Sequence, residues 1–197
     1  MSRSAKYSRS DILEAAARLL EQNGPRAVSM SGVARQLGAP SGSIYHRFAS
    51  RELLLAHLWL ESVAAFQNQW GERISGPDPL SSIDFCLQWV GQHPAQARLL
   101  LLYRREDLIE GPWPEEVSRA AEQLRRQLDS LLRETAEQLG QDLERVTFAL
   151  IDVPYAAMRR ALRQGQTPSP ALQQLTREAA EALLSGKRMQ VRKGTRR

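Results

Sequence analysis

Apolar residues recur every three or four positions along most of the chain, which is the spacing of amphipathic helices. In the first such segment, Ser8 and Asp11 match a capping box, and Gly24 followed by Pro25 matches a helix end. No run shows the alternation of a half-buried strand. The pattern therefore predicts an all-α fold of about nine helices, at 10–23, 29–37, 41–48, 51–74, 80–92, 95–109, 114–139, 142–164 and 170–185.

The second and third helices have the layout of a helix-turn-helix. Gly38 suits the tight turn between them, and Ile44 and Phe48, four residues apart, anchor the second of the pair on the core. Its opposite face is polar and offers donors and acceptors for base edges and phosphates, as a recognition helix in a major groove requires. The candidate DNA contacts on this face are Ser41, Ser43, Tyr45, His46 and Arg47.

The charge is distributed unevenly around a net value of +5. Residues 187–197 hold six Lys or Arg and no acidic residue, which predicts a disordered basic tail that either contacts a polyanion or is simply solvated. The apolar runs are too short for a transmembrane helix, no signal-peptide core follows Met1, and Cys86 is the single cysteine. These features predict a cytoplasmic protein.

The sequence holds no motif that indicates an enzyme. A nucleophile elbow, a phosphate-binding glycine loop and a dinucleotide fingerprint are all missing, so we expect no catalysis and no cofactor. The histidines His46, His57 and His93 stand apart from other ligand types, which argues against a metal site. Cys86 lies among apolar residues and is expected to be a small buried side chain.

The predicted helix 142–164 has a small side and a bulky side on a helical wheel. The small side suits close approach of another helix and predicts a dimer interface, together with the following helix. The candidate dimer residues are Ala149, Val153, Ala156, Ala157, Leu172, Leu175 and Ala179. The bulky side either packs in the core or lines an effector pocket, beside a kink at Pro154. The candidate pocket residues are Phe148, Asp152, Tyr155 and Met158 of this helix, with Trp89, Tyr103 and Trp113 from other helices as further walls.

One string of residues is similar to a known family motif. The segments Val33-Ala34, Leu37-Gly38-Ala39 and Ser41-Gly42-Ser43-Ile44-Tyr45 are followed by Phe48 and by Ser50-Arg51-Glu52-Leu53-Leu54. Over residues 1–70 the chain resembles the tetracycline-repressor-like (TetR) family of bacterial regulators; beyond them it shares only length and helical layout.

The resemblance implies roles for further residues. Ser29 and Ser31 would approach the DNA backbone or a base edge, and Gly42 would face the groove with Ser41, Ser43, Tyr45 and His46. Arg51 stands where the family usually has lysine and would contact a phosphate. Met30, Pro40 and Arg47 depart from the commoner residue types, so the operator sequence stays open.

The predicted organisation is a DNA-binding domain at 1–50, a connecting helix at 51–74, an effector-binding and dimerisation domain at 75–186, and the tail at 187–197. The predicted function is that of a homodimeric repressor that binds a pseudo-palindromic DNA operator and is released by a small-molecule effector. A helical adaptor that responds to a protein partner and an architectural DNA binder dominated by its basic tail are the alternatives.

Overall fold

The protein is described over residues 7–186 by a computed structural model. Within this range the chain is helical and holds no strand, which confirms the predicted all-α class. The helices are α1 Arg9–Asn23, α2 Met30–Leu37, α3 Ser41–Tyr45, α4 Arg51–Ile74, α5 Ser81–Gln92, α6 Pro94–Leu102, α7 Arg105–Leu108, α8 Glu115–Leu139, α9 Leu143–Thr147, α10 Val153–Arg163 and α11 Pro170–Ser185. The predicted tail, 187–197, lies outside the described residues.

α1 begins with the capping box that the sequence predicts. The Ser8 hydroxyl accepts a hydrogen bond from the Asp11 N–H at 3.1 Å, and the Asp11 carboxylate accepts one from the Ser8 N–H at 2.8 Å. Hydrogen bonds to its carboxylate from the Ser8 side chain and backbone hold the pKa of Asp11 below its usual value. The helix ends at Gly24, whose φ of 77° favours glycine, and a 3₁₀ turn, Pro25–Ala27, follows.

Residues 7–68 and 89–125 form one compact unit around a shared apolar core. Leu99 from α6 and Leu108 from α7 are buried in the same cluster as the side chains of α1 to α4. Residues 89–125, which the sequence assigned to the effector domain, therefore pack with the predicted DNA-binding head. Fully buried members of this core include Ile12, Leu20, Val33, Ile44, Phe48, Leu54 and Leu55.

The single helix predicted at 95–109 is instead two helices, α6 and α7. Tyr103 is extended between them, with φ −108° and ψ 141°. The Asp107 carboxylate then accepts a hydrogen bond from the Arg104 N–H at 2.7 Å and starts α7. The break turns Leu108 and Ile109 into the core, where both are buried. Neither glycine nor proline occurs at this break, so the helical spacing of apolar residues continues across it in the sequence.

Residues 69–88 and 126–186 form the second unit. In this unit the predicted helix 142–164 contains a π turn at Phe148–Asp152 that separates α9 from α10. The Val153 N–H donates to the carbonyl of Phe148, five residues back, and Pro154 follows, buried and without an N–H. Because a π turn closes over five residues rather than four, side-chain positions shift across it by about one residue.

α11 is held at its middle and at its end within the second unit. In the middle of the helix, the guanidinium of Arg177 pairs with the carboxylates of Asp78 and Asp84. At its end, the Gln141 amide donates to the carbonyls of Leu184 and Gly186, and Arg145 donates to that of Leu183. These bonds satisfy carbonyls that the last helical turn leaves without partners.

Cys86 of α5 is buried in the second unit, as the sequence predicts for a small apolar position. Burial away from water raises the pKa of its thiol to about 12. Between residues 7 and 186, none of the helices combines the length and the apolar character that crossing a bilayer requires.

Candidate DNA-binding interface

α2 and its turn are organised by two capping residues. Ser29 caps the start of α2 by accepting a hydrogen bond from the Gly32 N–H at 3.0 Å. A Cβ at Gly32 would lie 2.9 Å from that hydroxyl, so a glycine keeps the cap in place. Gly38 ends α2 in the left-handed conformation, with φ 62°, and its carbonyl accepts a hydrogen bond from the Tyr7 hydroxyl at 3.0 Å.

α3 presents one buried side and one exposed side. Ile44 and Phe48 are fully buried, so they anchor the segment on the core as the sequence predicts. Over the opposite surface, the side chain of Tyr45 is 55% exposed, although it is large and aromatic. Around it the remaining predicted contacts are exposed or half-buried: Ser41, Gly42, Ser43, His46 and Arg47.

The helix itself is shorter than the predicted span of 41–48. α3 ends at Tyr45, and His46 and Arg47 form a turn that leads Phe48 into the core. Ser50 then starts α4, where its hydroxyl accepts a hydrogen bond from the Leu53 N–H at 3.2 Å.

Two sequence-remote contacts support this surface from behind, and sequence patterns did not reveal them. The guanidinium of Arg9 lies 4.7 Å from the ring centroid of Phe48 and forms an ion pair with Glu61 at 3.1 Å. The Tyr7 hydroxyl bond to the carbonyl of Gly38 holds the turn. The only sequence signal was the position of both residues beside the cap of α1.

Arg51 is directed differently from the expected phosphate contact. Its Nε donates to the carbonyl of Val28 at 2.7 Å, one terminal nitrogen donates to that of Pro25 at 2.8 Å, and the other to that of Leu108 at 3.3 Å. All three nitrogens of the guanidinium are thus bonded within the protein.

A known family shares the sequence pattern of this helix-turn-helix. The family model described as bacterial regulatory proteins, tetR family, matches residues 12–58, which span α1 to the first part of α4. Residues 12–58, which hold the helix-turn-helix, are therefore similar to this family of bacterial regulatory proteins. Against curated protein sequences, the chain gives no significant match.

Several solved structures share the fold of this chain over nearly its whole length. The fatty acid degradation regulator FadR from Bacillus halodurans superposes with a TM-score of 0.66 at 17% identity, covering 92% of this chain and all of that one. A putative tetR family regulator from Shewanella sp. PV-4 gives 0.66 at 23% identity, with 92% and 96% covered. FadR from Bacillus subtilis, solved with stearoyl-CoA, gives 0.67 at 19% identity, with 91% and 99% covered.

The predicted effector residues do not share one described cavity. In the first unit, Trp89 is buried with its ring against Phe66 and His93. Tyr103 lines an open cleft of about 870 Å³, whereas Trp113 lines a smaller one of about 280 Å³.

The remaining four predicted pocket residues belong to the second unit and lie on different sides of their helix. Phe148, Asp152 and Tyr155 are exposed, whereas Met158 is buried. The wheel that grouped them assumed an uninterrupted α-helix, and the π turn shifts the register between Phe148 and Met158.

The predicted dimer residues are divided in the same way. Ala149 is fully buried within its own unit, so it cannot form part of a dimer surface. Ala156, Leu175 and Ala179 are exposed, and the half-buried members are Val153, Ala157 and Leu172. The large apolar side chains that do reach the surface of this unit include Phe148, Tyr155 and Leu175, which are 50%, 40% and 61% exposed.

Proposed function

We propose that this chain is a sequence-specific DNA-binding repressor that acts as a homodimer on a pseudo-palindromic operator. The observation that carries the proposal is the exposed polar surface around α3, mounted on the fully buried Ile44 and Phe48. A surface of this kind offers hydrogen-bond donors and acceptors to a major groove while its anchors keep it rigid. As a regulator of bacterial genes, the protein would act in the cytoplasm.

The operator contacts are proposed on three grounds. Ser41, Ser43, Tyr45, His46 and Arg47 have the chemistry of base-edge and phosphate contacts and reach the surface at least in part. Ser31 is exposed at the start of α2, which supports a contact with the DNA backbone. A Cβ built on Gly42 would have no protein atom within 4 Å, so the space beside the main chain is open and a phosphate or sugar can approach it closely.

We propose a second copy of this chain as the occupant of the exposed apolar face in the second unit. This face holds three large apolar side chains that are exposed to solvent, Phe148, Tyr155 and Leu175. Large apolar groups at the surface are typical of a protein interface. The same two helices bear basic residues, Arg160 and Arg163, and acidic residues, Glu178 and Glu181, at exposed positions. A two-fold axis brings identical surfaces together, and a surface with both signs beside an apolar centre can complement itself.

The dimer would place two copies of α3 about one duplex turn apart, roughly 34–36 Å. We propose that a small apolar effector changes this spacing and releases the operator. The FadR protein of Bacillus subtilis was solved with stearoyl-CoA. Acyl-CoA thioesters, whose acyl chain is apolar, are therefore one class for a first effector panel, and apolar amines are a second, with release of the operator complex as the readout.

Selection of bound fragments from genomic DNA, followed by quantitative shift assays, tests the DNA-binding proposal. The selected sites should share a pseudo-palindrome, and Tyr45→Ala and Arg47→Ala should each lower operator affinity by about tenfold or more, the effect expected when one specific base interaction is removed. Arg119→Ala, at an exposed position on α8, is the matched control and should bind as the parent does. Fragments without a common half-site would contradict sequence-specific recognition.

Sedimentation tests the dimer. Leu175→Asp should dissociate it at micromolar concentration because the substitution puts an unpaired charge into an apolar contact. Gln166→Asp, at an exposed position outside the proposed face, is the control and should remain dimeric. A Leu175→Asp variant that sediments as the parent does would remove α11 from the interface.

A further inference from the structure

Arg51 bridges three backbone carbonyls that come from two distant parts of the chain. Pro25 and Val28 lie in the connection between α1 and α2, and Leu108 is the last residue of α7. The three donor–acceptor distances are 2.8, 2.7 and 3.3 Å, and each bond uses a different nitrogen of the guanidinium. All of these residues belong to the first unit.

Two of these carbonyls lie next to helix ends, at the start of α2 and at the end of α7. Val28 directly precedes Ser29, the residue that caps α2, so its carbonyl marks the entry into the helix-turn-helix. Leu108 ends α7, and a terminal helical carbonyl has no partner within its own helix. Arg51 is itself the first residue of α4, immediately behind the turn that carries Arg47 and Phe48.

The Arg51 guanidinium already has hydrogen-bond partners within the protein, which disfavours a contact with a phosphate. Its side chain is 29% exposed, and one terminal nitrogen also lies 3.8 Å from a carboxylate oxygen of Glu52. A charged donor that is bonded to carbonyl dipoles and lies beside a carboxylate is already solvated by the protein, and extracting it for a phosphate would break bonds worth about 1.5–3 kcal/mol each.

We infer that Arg51 is a positioning residue for DNA recognition: it ties the start of α2 and the end of α7 to the start of α4, and thereby sets the orientation of the recognition surface. Only arginine can do this, because its planar fork presents separate nitrogens to separate acceptors, whereas the ammonium of lysine is a single point. The inference rests on the proposed function for its DNA readout.

Arg51→Lys separates positioning from phosphate contact. A phosphate contact tolerates lysine, so it predicts parental affinity and a parental slope of log affinity against log salt. Positioning predicts an operator affinity lower by about tenfold or more, the loss expected when a charge-assisted hydrogen bond is removed. It also predicts a smaller loss on random DNA and an unchanged salt slope, because the number of phosphates contacted stays the same.

Arg18→Lys is the matched control. Arg18 lies on α1 in the same unit, and the bond it makes is an exposed ion pair with Glu14. It should leave affinity, operator preference and salt slope as in the parent. If Arg51→Lys also behaves as the parent, while Arg51→Ala lowers the salt slope by about one, Arg51 is a phosphate ligand and the inference is overturned.

Amide hydrogen exchange of the free protein tests the same inference without DNA. Arg51→Lys should speed exchange in residues 28–34 by about tenfold or more, since the bond that fixes the carbonyl of Val28 is removed. Exchange of α11 in the second unit should stay at the parental rate. Parental exchange in residues 28–34 would overturn the inference even if the chain proved not to bind DNA, and a parent that binds no operator would contradict the proposed function alone.

Discussion

At the scale of single residues, Gly38 and Gly42 differ in why a side chain is absent. A Cβ at either position would meet no protein atom within 4 Å. Gly38 has a φ of 62°, which disfavours other residues, whereas Gly42 lies in α3 without a positive φ. Of these two glycines, only Gly38 therefore has a conformational reason to be glycine.

Replacing each glycine by alanine separates the two cases. Gly38→Ala should lower the free energy of unfolding by about 1–2 kcal/mol because of left-handed strain. Gly42→Ala should raise it by roughly 0.5–1 kcal/mol through helix propensity, yet weaken operator binding by about tenfold, because the new methyl group meets the DNA. Denaturant unfolding and shift assays measure the two effects. Parental operator affinity in Gly42→Ala would show that no close approach occurs there.

The buried thiol of Cys86 gives a second residue-level prediction, in the alkaline range. Its pKa is raised from an ordinary 9.0 to about 12, so above pH 9 the unfolded chain loses a proton that the folded chain keeps. Stability should therefore fall with rising pH through this window, by up to about 1.4 kcal/mol per pH unit from this group.

Cys86→Ala should be less stable than the parent at pH 7, because it removes buried volume. Its deficit should shrink between pH 9 and pH 11, since the variant lacks the thiol linkage. Urea unfolding across this range is the measurement. A deficit that is constant with pH would show that Cys86 ionises equally in both states.

At the scale of elements, sequence patterns predicted those parts of the structure whose causes are local. The turn at Gly38, the cap at Ser8 and the anchors Ile44 and Phe48 depend on residues within a few positions of one another, and the structure contains all of them. The bonds of Arg51 reach 23, 26 and 57 residues away, beyond any helical periodicity.

The same reason explains the missed break before α7 and the misjudged faces of α10. Leu108 and Ile109 pack in a core built mainly by α1 to α4. Because that core is formed by distant parts of the chain, the residues around Tyr103 carry no local signal for the break. A helical wheel assigns Ala149 to a surface only if the helix is α throughout, which the π turn at 148–152 prevents.

The cap of α2 allows its structural and DNA-binding roles to be measured apart. Ser29→Ala removes the hydrogen bond to the Gly32 N–H and should cost about 1 kcal/mol of stability, together with operator affinity. Ser31→Ala, at an exposed neighbouring position, removes only a long hydrogen bond of 3.4 Å to the Ser29 hydroxyl, so it should lower operator affinity with a smaller loss of stability. Thermal unfolding and shift assays on both variants provide the comparison. Equal stability of the two would contradict the capping role of Ser29.

At the scale of the whole molecule, the distribution of charge separates specific from general attraction to DNA. Residues 1–60 carry eight Lys or Arg against four Asp or Glu, and residues 187–197 carry six against none. The terminal segment holds few groups that read base edges, so its proposed contribution is the sequence-independent attraction of cations to phosphates.

Removal of residues 187–197 should therefore weaken binding to operator and random duplexes by nearly the same factor. The slope of log affinity against log salt should decrease by about 0.9 for each phosphate that the chain no longer neutralises. Titrations at several salt concentrations, with full-length chain as the reference, give both quantities. A collapse of the ratio between operator and random binding would mean that the segment reads sequence, as minor-groove arms do.

The π turn at Phe148–Asp152 also affects how this chain can be aligned with its relatives. A helix with one such turn holds one more residue than an α-helix of the same path, so it is equivalent to a single-residue insertion. A relative without the turn needs a one-residue gap between 148 and 153, although both chains are helical there. An ungapped alignment that is correct before the turn would pair every residue after it, Tyr155 among them, with a neighbour of its true counterpart. Interface residues of the two proteins therefore correspond by superposition and not by counting along the chain.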